Sequence, residues 1–267
     1  MNRIALDLGF IQIYWYSITM FLGIAAASIV ILTEAKKQKI NQDFMINLIF
    51  YGVIFGLIGA RLYYVLFNLD YYSKYPIEIL EIWNGGIAIH GAMIVGLLVV
   101  FLYCKKYKAK FLKILDILAV GFILGQAIGR WGNFFNGEAY GPVTNLANIK
   151  FLPQFIIDGM YINGAYRMPT FLLESIWDLV GFIGLVIIRK SAYTKVGQLS
   201  GIYLIWYSIG RIVVEEFRTD SLMLGPIKMA QLVSVVAIVI GIIILIFSKK
   251  GSRFDNLYIE ETKEIRF

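Results

Sequence analysis

The amino-acid sequence predicts an all-α protein that crosses a membrane about seven times. Its 267 residues are 59% hydrophobic and 16% charged, with a mean hydropathy of +0.71, which is too apolar for a soluble domain. Apolar stretches of roughly 17 to 25 residues recur along the chain, and each can cross a hydrocarbon core about 30 Å thick. Basic residues are concentrated in alternate connections between these stretches. We therefore expect one membrane domain, residues 1–248, and a charged cytoplasmic tail, residues 249–267.

Each apolar stretch is interpreted as one membrane-spanning helix. The first has little basic charge before it and no small-residue cleavage site after it, so we expect it to remain as a helix and not to be removed as a signal peptide. The predicted spans are residues 13–33, 44–67, 87–103, 114–131, 169–188, 199–217 and 227–247.

The positions of the lysines and arginines predict the orientation, because cytoplasmic loops retain positive charge. Sixteen of the 25 basic residues follow the first, third, fifth and seventh spans, which predicts an outer N-terminus and a cytoplasmic C-terminus. The net charge of +7 is then an orientation signal that also favours anionic membrane lipids, and we expect no nucleic-acid partner. These sixteen are Lys36, Lys37, Lys39, Lys105, Lys106, Lys108, Lys110, Lys113, Arg189, Lys190, Lys195, Lys249, Lys250, Arg253, Lys263 and Arg266.

The longest predicted outer segment, residues 132–168, should form a small cap on the outer face. Asp158-Gly159 lies between residues that favour strands, and this dipeptide is typical of the turn of a β-hairpin. We therefore place a hairpin turn at Asp158-Gly159.

Three arginines, Arg61, Arg130 and Arg211, lie inside predicted spans, each within about 9 Å of the outer end at 1.5 Å per residue. A guanidinium inside a membrane is costly and often marks a binding site. Each arginine alone could instead extend to the lipid head groups or pair with a carboxylate. Three cations at one depth favour an anion site.

The run from Gly129 to Gly141 closes the fourth span and contains four glycines together with Arg130, Asn133, Asn136 and Glu138. Glycines let backbone amides approach and point at a ligand. The alternative is an ordinary glycine-rich helix exit, which would not need a guanidinium, two amides and a carboxylate within nine residues. We predict that Asn133, Asn136, Glu138 and Gly141 belong to a binding site.

Tyr16 and His90 begin the first and third spans at the same depth as the arginines. Histidine can exchange a proton near neutral pH, although a lone histidine at a helix end is often only an interfacial residue. Tyrosine likewise often lies in an interfacial aromatic belt.

The sixth span places Arg211, Glu215 and Arg218 on one helical face through i,i+4 and i,i+3 spacing. Such a ladder could simply neutralise buried charge, or it could hold an arginine toward a phosphate. The sequence leaves both interpretations open.

The sequence has a single cysteine, Cys104, which excludes an internal disulfide. Because it also has a single histidine, a transition-metal site is improbable. We expect neither a metal nor another cofactor.

The Gly129 to Gly141 run resembles the signature of the bacterial prolipoprotein diacylglyceryl transferases, GRxGNFxNxExxG, at every fixed position. The resemblance extends over nearly the whole chain. One segment departs from it: many members have His-Pro-Thr-x-Leu-Tyr-Glu where this chain has Met168-Pro-Thr-Phe-Leu-Leu-Glu174, so we treat Glu174 only as a candidate structural acid. Supporting matches are Trp15-Tyr16, Gly59-Ala-Arg61, the Gly-Gly-x-x-x-His pattern that ends at His90, and the segment from Arg211 to Arg218.

The resemblance implies transfer of the diacylglyceryl group of phosphatidylglycerol to the lipobox cysteine in the signal peptide of a prolipoprotein, with release of glycerol phosphate. It implies catalytic roles for Arg130 and Arg211 as phosphate clamps and for His90 as base. The alternative for the base is that the nearby arginines lower the pKa of the cysteine enough without a histidine. Tyr16, Arg61, Asn133, Asn136, Gly141 and Arg218 would contact substrate, and Glu138 and Glu215 would hold arginines. We expect the site to face the outside of the bacterial cell membrane.

Two other function classes are compatible with arginines inside a membrane. A transporter of anions or anionic lipids would also need them, but transporter sites tend to lie at the midplane between repeated halves, whereas these arginines lie near one leaflet in an odd number of spans. A lipid-binding protein without chemistry is the other alternative, and it would bind phosphatidylglycerol without consuming it.

Overall fold

A computed structural model describes residues 3–9, 12–219, 222–249 and 256–259. It is predominantly helical, with three two-stranded antiparallel hairpins among these residues. In chain order the elements are β1 (Ile4–Asp7), β2 (Gln12–Tyr14), α1 (Trp15–Lys37), α2 (Gln42–Leu66), α3 (Leu69–Tyr72), α4 (Ile89–Lys106), α5 (Phe111–Asn136), α6 (Leu146–Ile149), α7 (Gln154–Gly159), β3 (Tyr161–Ile162), β4 (Ala165–Tyr166), α8 (Thr170–Ile188), α9 (Gln198–Phe217), β5 (Met223–Leu224), β6 (Ile227–Lys228) and α10 (Met229–Lys249), with two short 3₁₀ turns, Pro76–Leu80 and Ile82–Asn84, before α4.

Seven of these helices have 18 or more residues, and each coincides with one predicted span. Six of them, within the described ranges, are long and apolar enough to cross a membrane. The seventh, α9, carries Arg211, Glu215 and Glu216 and is therefore less apolar. The all-α polytopic architecture is confirmed, while the direction in which the chain crosses the membrane stays a prediction.

The chain forms two compact units. One comprises residues 1–31 and 115–260, and the other comprises residues 32–114 and 261–267. In the first unit α9 packs against α8 and α10, and in the second unit α2 packs against α4. The division at residue 248 between a membrane domain and a tail stays a prediction.

The predicted cap forms in the first unit between α5 and α8, and we use the name cap for residues 137–169. Its small core joins α7 to the end of α5 and the start of α8 through Phe134, Ile156, Met160 and Phe171. The rings of Phe134 and Phe171 stack with their centroids 4.7 Å apart. The cap begins later than predicted because α5 continues to Asn136.

The cap contains a β-hairpin, but its turn is not at Asp158-Gly159, and that part of the prediction is wrong. Residues 154–159 form α7, and the hairpin pairs Tyr161 with Tyr166 and Ile162 with Ala165. Its two-residue turn is Asn163-Gly164, where both residues have positive φ, 54° and 79°. This geometry suits Asn-Gly better than any other pair, and α7 is stabilised by burial of Ile156 and Ile157.

The last described segment, residues 256–259, is docked on the loop before α9. The backbone N–H of Tyr258 donates to the carbonyl of Thr194 at 2.7 Å, and that of Val196 donates to the carbonyl of Asn256 at 2.8 Å. The Tyr258 ring is fully buried. Part of the predicted tail, residues 256–259, is therefore packed against the protein, and residues 250–255 and 260–267 lie outside the described residues.

Candidate active site

The first unit contains a buried ion-pair cluster built from α5, α8 and α9. Glu174 on α8 bridges two arginines: its Oε2 lies 3.2 Å from Nε of Arg130, and its Oε1 lies 2.6 Å from Nη1 of Arg211. Glu174 is 5% exposed. The predicted convergence of intramembrane arginines is therefore observed for Arg130 and Arg211, and a carboxylate that we assigned only a structural role lies between them.

The predicted ladder on α9 is also present. Oε2 of Glu215 lies 2.7 Å from Nη2 of Arg211 and 3.9 Å from Nε of Arg218, at the expected i,i+4 and i,i+3 spacings. Lys228, the last residue of β6, donates through Nζ to the backbone carbonyl of Glu215 at 2.7 Å. Glu215 is 1% exposed, so its buried carboxylate depends on Arg211, and at longer range on Arg218, for compensation of its charge. The expectation that Glu215 holds arginines is confirmed.

Several polar side chains around the cluster were not identified from the sequence. Arg130 donates through Nη2 to the hydroxyl of Tyr207 at 3.2 Å. Asp178 lies one helical turn after Glu174, is 2% exposed, and its Oδ2 accepts no hydrogen bond from the described residues. The charged groups that act most strongly on it are Arg130, Glu174 and Arg211. Its spacing of four from Glu174 was the one signal in the sequence that could have revealed it.

A pair of stacked tryptophans supports this part of the cluster. The rings of Trp177 and Trp206 lie 4.2 Å apart with an interplanar angle of 13°. Each indole N–H donates to the backbone carbonyl of the other residue, at 2.9 Å and 3.0 Å. The stack fixes α8 against α9 at the level of Asp178, which limits how far Glu174 and Arg211 can move apart.

The signature run forms the end of α5 and the turn that follows it. The side-chain amides of Asn133 and Asn136 both donate to Oε1 of Glu138, at 3.1 Å and 3.4 Å. The backbone N–H of Glu138 also donates to the carbonyl of Asn133 at 3.1 Å. The Glu138 carboxylate is thus oriented by two amides from the last turn of α5. The expectation that it holds an arginine stays a prediction.

The interpretation of the signature glycines also needs correction. Gly129 and Gly132 lie inside the regular helix α5. A Cβ on Gly132 would lie 2.8 Å from the ring of Tyr16 and 2.8 Å from Oγ1 of Thr19, so this glycine allows α1 to pack closely on α5. The N–H of Gly141 donates to the carbonyl of Met168 at 2.9 Å and is not available to a substrate.

Tyr16 lies at the start of α1 beside the signature run. The neighbouring Trp15 stacks on Phe135 of α5 at 5.1 Å, and the hydroxyl of Thr19 donates to the carbonyl of Tyr16 at 2.9 Å. Tyr16, Asn136 and Glu138 line one pocket at this point. Tyr16 is thus in the neighbourhood that the sequence predicted.

The second unit contains the two remaining predicted residues, Arg61 and His90. Arg61 on α2 is 6% exposed. Its guanidinium donates hydrogen bonds to five backbone carbonyls of one loop. These belong to Ile79 at 2.9 Å, Gly85 at 2.7 Å, Gly86 at 2.8 Å, Glu81 at 3.5 Å and, at short range, Glu78. Its guanidinium lies 5.2 Å from the centre of the Tyr72 ring. These contacts are structural, because they fold residues 78–86 onto α2. A substrate contact for Arg61 stays a prediction.

His90 lies in the first turn of α4 and is half-buried. Its ring is tilted against that of Tyr63, with centroids 6.0 Å apart. The backbone N–H of Ala88, just before it, donates to the carbonyl of Ala60 at 3.0 Å. The position of His90 on α4 is therefore fixed, and its role as base stays a prediction.

The cluster in the first unit can bind an anion. Two guanidiniums from different helices are held in place before any ligand arrives, and planar guanidiniums suit the paired oxygens of a phosphate. Glu174 and Glu215 balance the charge of these guanidiniums in the free protein. Within the described ranges, no group of three or more histidine, cysteine, aspartate or glutamate side chains is placed to hold a metal ion.

Comparison with known proteins gives a consistent result. The family model described as prolipoprotein diacylglyceryl transferase matches residues 3–247. Among curated proteins, one from Staphylococcus haemolyticus is 49% identical over 92% of this chain and 87% of its own length, and one from Staphylococcus saprophyticus is 47% identical over 92% and 88%. A third, from Streptococcus uberis, is 44% identical over 93% and 96%. All three are named phosphatidylglycerol–prolipoprotein diacylglyceryl transferase.

Proposed function

The chain belongs to the prolipoprotein diacylglyceryl transferase family, and we propose that it transfers the diacylglyceryl group of phosphatidylglycerol to the lipobox cysteine of a prolipoprotein. It is a transferase of lipoprotein biosynthesis and a multi-pass bacterial membrane protein. The observation that carries the residue-level proposal is the pairing of Arg130 and Arg211 through one buried carboxylate, Glu174.

The reaction forms a bond between the cysteine sulfur and the terminal carbon of the diacylglyceryl group. The bond between that carbon and a phosphate oxygen breaks, and its electron pair leaves with glycerol phosphate. The thiol must lose its proton, because thiolate is the nucleophile. The protein therefore has two tasks, which are to accept that proton and to stabilise the negative charge that develops on the phosphate.

Arg130 and Arg211 perform the second task. They approach from α5 and α9, and Glu174 and Glu215 hold their guanidiniums at fixed positions. Preorganised charges stabilise a developing anion well, because little reorganisation is needed when the charge appears. Arg218 adds a third cation to the same carboxylate system.

His90 is the proposed proton acceptor, on the strength of its place in the Gly-Gly-x-x-x-His pattern. The alternative is that the positive charge of the arginines favours the thiolate directly, without a base. The two routes predict different pH dependence in a His90 variant. The proposed site faces the outside of the cell membrane, where the lipobox cysteine of an exported prolipoprotein emerges.

A transporter or a binding protein without chemistry is the competing proposal. The near approach of Arg130 to Arg211, together with the α9 ladder, would serve anion binding in either case. What favours transfer is membership in a transferase family over nearly the whole chain. The competing functions differ in whether the lipid is consumed.

The decisive experiment is to reconstitute the full chain in lipid nanodiscs with phosphatidylglycerol and a synthetic lipobox peptide. We expect the peptide to gain the mass of one diacylglyceryl group and glycerol phosphate to appear in equal amount. A peptide with serine in place of the lipobox cysteine is the matched control and should gain nothing. Binding of phosphatidylglycerol without either product would refute the proposal.

A further inference from the structure

A second layer of polar side chains lies one helical turn further from the cap than the arginines of the first unit. α5 ends at the cap and α8 begins there, and Glu174 of α8 contacts both Arg130 of α5 and Arg211 of α9. At 1.5 Å per residue, a shift of four positions along each helix moves about 6 Å away from this contact. The residues at that depth are Gln126 on α5, Asp178 on α8 and Tyr203 on α9.

Hydrogen bonds fix the second layer in place. The hydroxyl of Tyr203 donates to Oε1 of Gln126 at 3.2 Å, which joins α9 to α5. The hydroxyl of Ser175 donates to the carbonyl of Ala127 at 2.8 Å, which joins α8 to α5. The three helices therefore hold the second layer at a fixed distance from the arginines.

The carboxylate of Asp178 is the charged member of this layer. Asp178 is 2% exposed, and its Oδ2 accepts no hydrogen bond from the described residues. The carboxylates that contact Arg130 and Arg211 in the described part of the chain are instead Glu174 and Glu215. The groups that act on Asp178 or feel its charge are Arg130 from α5, Glu174 from α8, and Arg211 and the Tyr203 hydroxyl from α9.

A buried negative charge behind the two arginines weakens their attraction for an anion in front of them. The effect is larger than in water, because the surroundings screen the charge poorly. It also grows in proportion to the charge of the anion. A phosphodiester carries one negative charge, whereas a phosphate monoester has a second pKa of about 6 and carries nearly two at pH 8. The monoester is therefore disfavoured about twice as strongly in free energy.

We propose that Asp178 promotes release of the product by lowering the affinity of the arginine pair for a dianion more than for a monoanion. The inference rests on the proposed function, since it places the donor phosphodiester, and then glycerol phosphate, at Arg130 and Arg211. Asp178 touches neither ligand and acts through the field at the arginines. Burial is essential to this role, because solvent and salt would screen the same charge at the surface.

The test uses two soluble phosphates that differ by one charge. Glycerol phosphate is a dianion at pH 8, and its methyl ester is a monoanion. Dissociation constants for both are measured by calorimetry in phosphatidylcholine nanodiscs, without peptide or donor lipid. The wild type is compared with Asp178→Asn, which keeps the shape of the side chain, and with Asp178→Ala, which adds no new hydrogen-bond donor.

We expect both substitutions to strengthen binding of the monoanion by about 10-fold and of the dianion by about 100-fold. These factors follow from a separation of about 10 Å and an effective dielectric constant of about 20. In the transfer assay, glycerol phosphate should inhibit both variants more strongly than the wild type.

The pH dependence separates a charge effect from a change of shape. The methyl ester keeps one negative charge between about pH 5 and 8. As the pH falls and Asp178 takes up a proton, the affinity of the wild type for this ester should rise toward that of Asp178→Asn. A difference between the two proteins that stays constant with pH would contradict the proposal.

Glu216→Gln is the matched control. It also removes one carboxylate near the arginines, but Glu216 on α9 has a side chain that is 62% exposed. Solvent screens this charge, so the variant should bind both phosphates as the wild type does. A 100-fold gain for the dianion in Glu216→Gln would show that burial is not what makes Asp178 effective, and would overturn the proposal.

Equal strengthening for the two phosphates, or no strengthening, would also overturn it, as would a gain in Asp178→Asn that is absent from Asp178→Ala. Binding is measured without turnover, so the proposed function is tested separately. A protein that shows the charge-dependent gains but transfers nothing to a lipobox peptide would refute the proposed function and uphold the effect of Asp178 on anion binding. A protein that transfers normally and shows equal gains for the two phosphates would do the reverse.

Discussion

Replacing Glu174 by glutamine tests whether the bridged arginines are the centre of the site. The substitution keeps the shape of the side chain and removes the charge that lies 3.2 Å from Arg130 and 2.6 Å from Arg211. Removing one member of a buried ion pair typically costs about 3 to 5 kcal/mol, because the remaining charge stays buried without compensation. Glu215 still pairs with Arg211, so we expect the lower end, about 3 kcal/mol.

That cost should appear in two measurements. The apparent Tm should fall by about 6 to 12 °C, at roughly 2 to 4 °C per kcal/mol for a chain of this size. Turnover should fall by about 10²-fold, the typical effect of losing one well-placed charge-stabilising contact. The assay is diacylglyceryl transfer to a lipobox peptide in nanodiscs, with Tm measured on the same preparation.

The matched control is Glu216→Gln, one residue beyond Glu215 on α9. Glu216 pairs with Lys228 at 3.6 Å, but its side chain is 62% exposed. Exposed ion pairs contribute about 0 to 1 kcal/mol, so this variant should keep its turnover and nearly its Tm. If Glu174→Gln stays within threefold of wild-type turnover, Glu174 does not position the catalytic arginines.

Three further predictions address the roles carried over from the sequence. Arg130→Lys should be nearly as inactive as Arg130→Ala in the transfer assay, because an ammonium cannot reproduce a planar guanidinium that contacts both Glu174 and a phosphate. A lysine variant that keeps most of its activity would exclude a role for Arg130 as a phosphate clamp. His90→Asn should lower turnover by about 10² to 10⁴-fold while phosphatidylglycerol binding persists. Part of the lost turnover should be recovered as the pH rises toward the ordinary thiol pKa of about 8.5. Weak lipid binding without this recovery would make His90 a packing or head-group residue. In a background without Cys104, a cysteine at Asn148 should react with an impermeant label from outside the cell and one at Ala109 should not; the reverse pattern would contradict the proposed orientation.

The long helices could be predicted from the sequence because the need to cross a membrane imposes a simple apolar pattern along the chain. A helix that crosses a bilayer must be apolar over about 20 residues, and so all seven long helices were located within a few residues of their observed bounds. The ladder of Arg211, Glu215 and Arg218 was equally predictable, since helical spacing alone determines it. The approach of Arg130 to Arg211 followed from their similar depth.

What the sequence did not reveal depends on contacts between distant segments. Glu174 occupies a position where the surrounding motif departs from the family pattern, and nothing local indicates that its two oxygens bind two different arginines. The environment of Arg61 is set by carbonyls of residues 78–86, which carry no side-chain signal. The continuation of α5 through Gly132 follows from close packing with α1, although glycine alone disfavours a helix.

The hairpin shows how a correct rule can be applied at the wrong position. Asp158-Gly159 and Asn163-Gly164 lie five residues apart, and both satisfy the sequence rule for a two-residue turn. Burial of Ile156 and Ile157 in the cap core selects the helix for the first and leaves the turn to the second. The choice between them is a tertiary effect.

The discontinuity of the first unit has a consequence for biogenesis. Residues 1–31 belong with residues 115–260, so α1 leaves the ribosome well before α5, on which Tyr16 and Thr19 pack. At about 5 to 20 residues per second, synthesis of residues 32–114 takes about 4 to 17 s. Throughout this interval the face of α1 that later covers Gly132 lacks its native neighbour in the bilayer. The order of synthesis therefore requires α1 to be inserted and retained, by lipid or by the insertion machinery, until the later helices arrive.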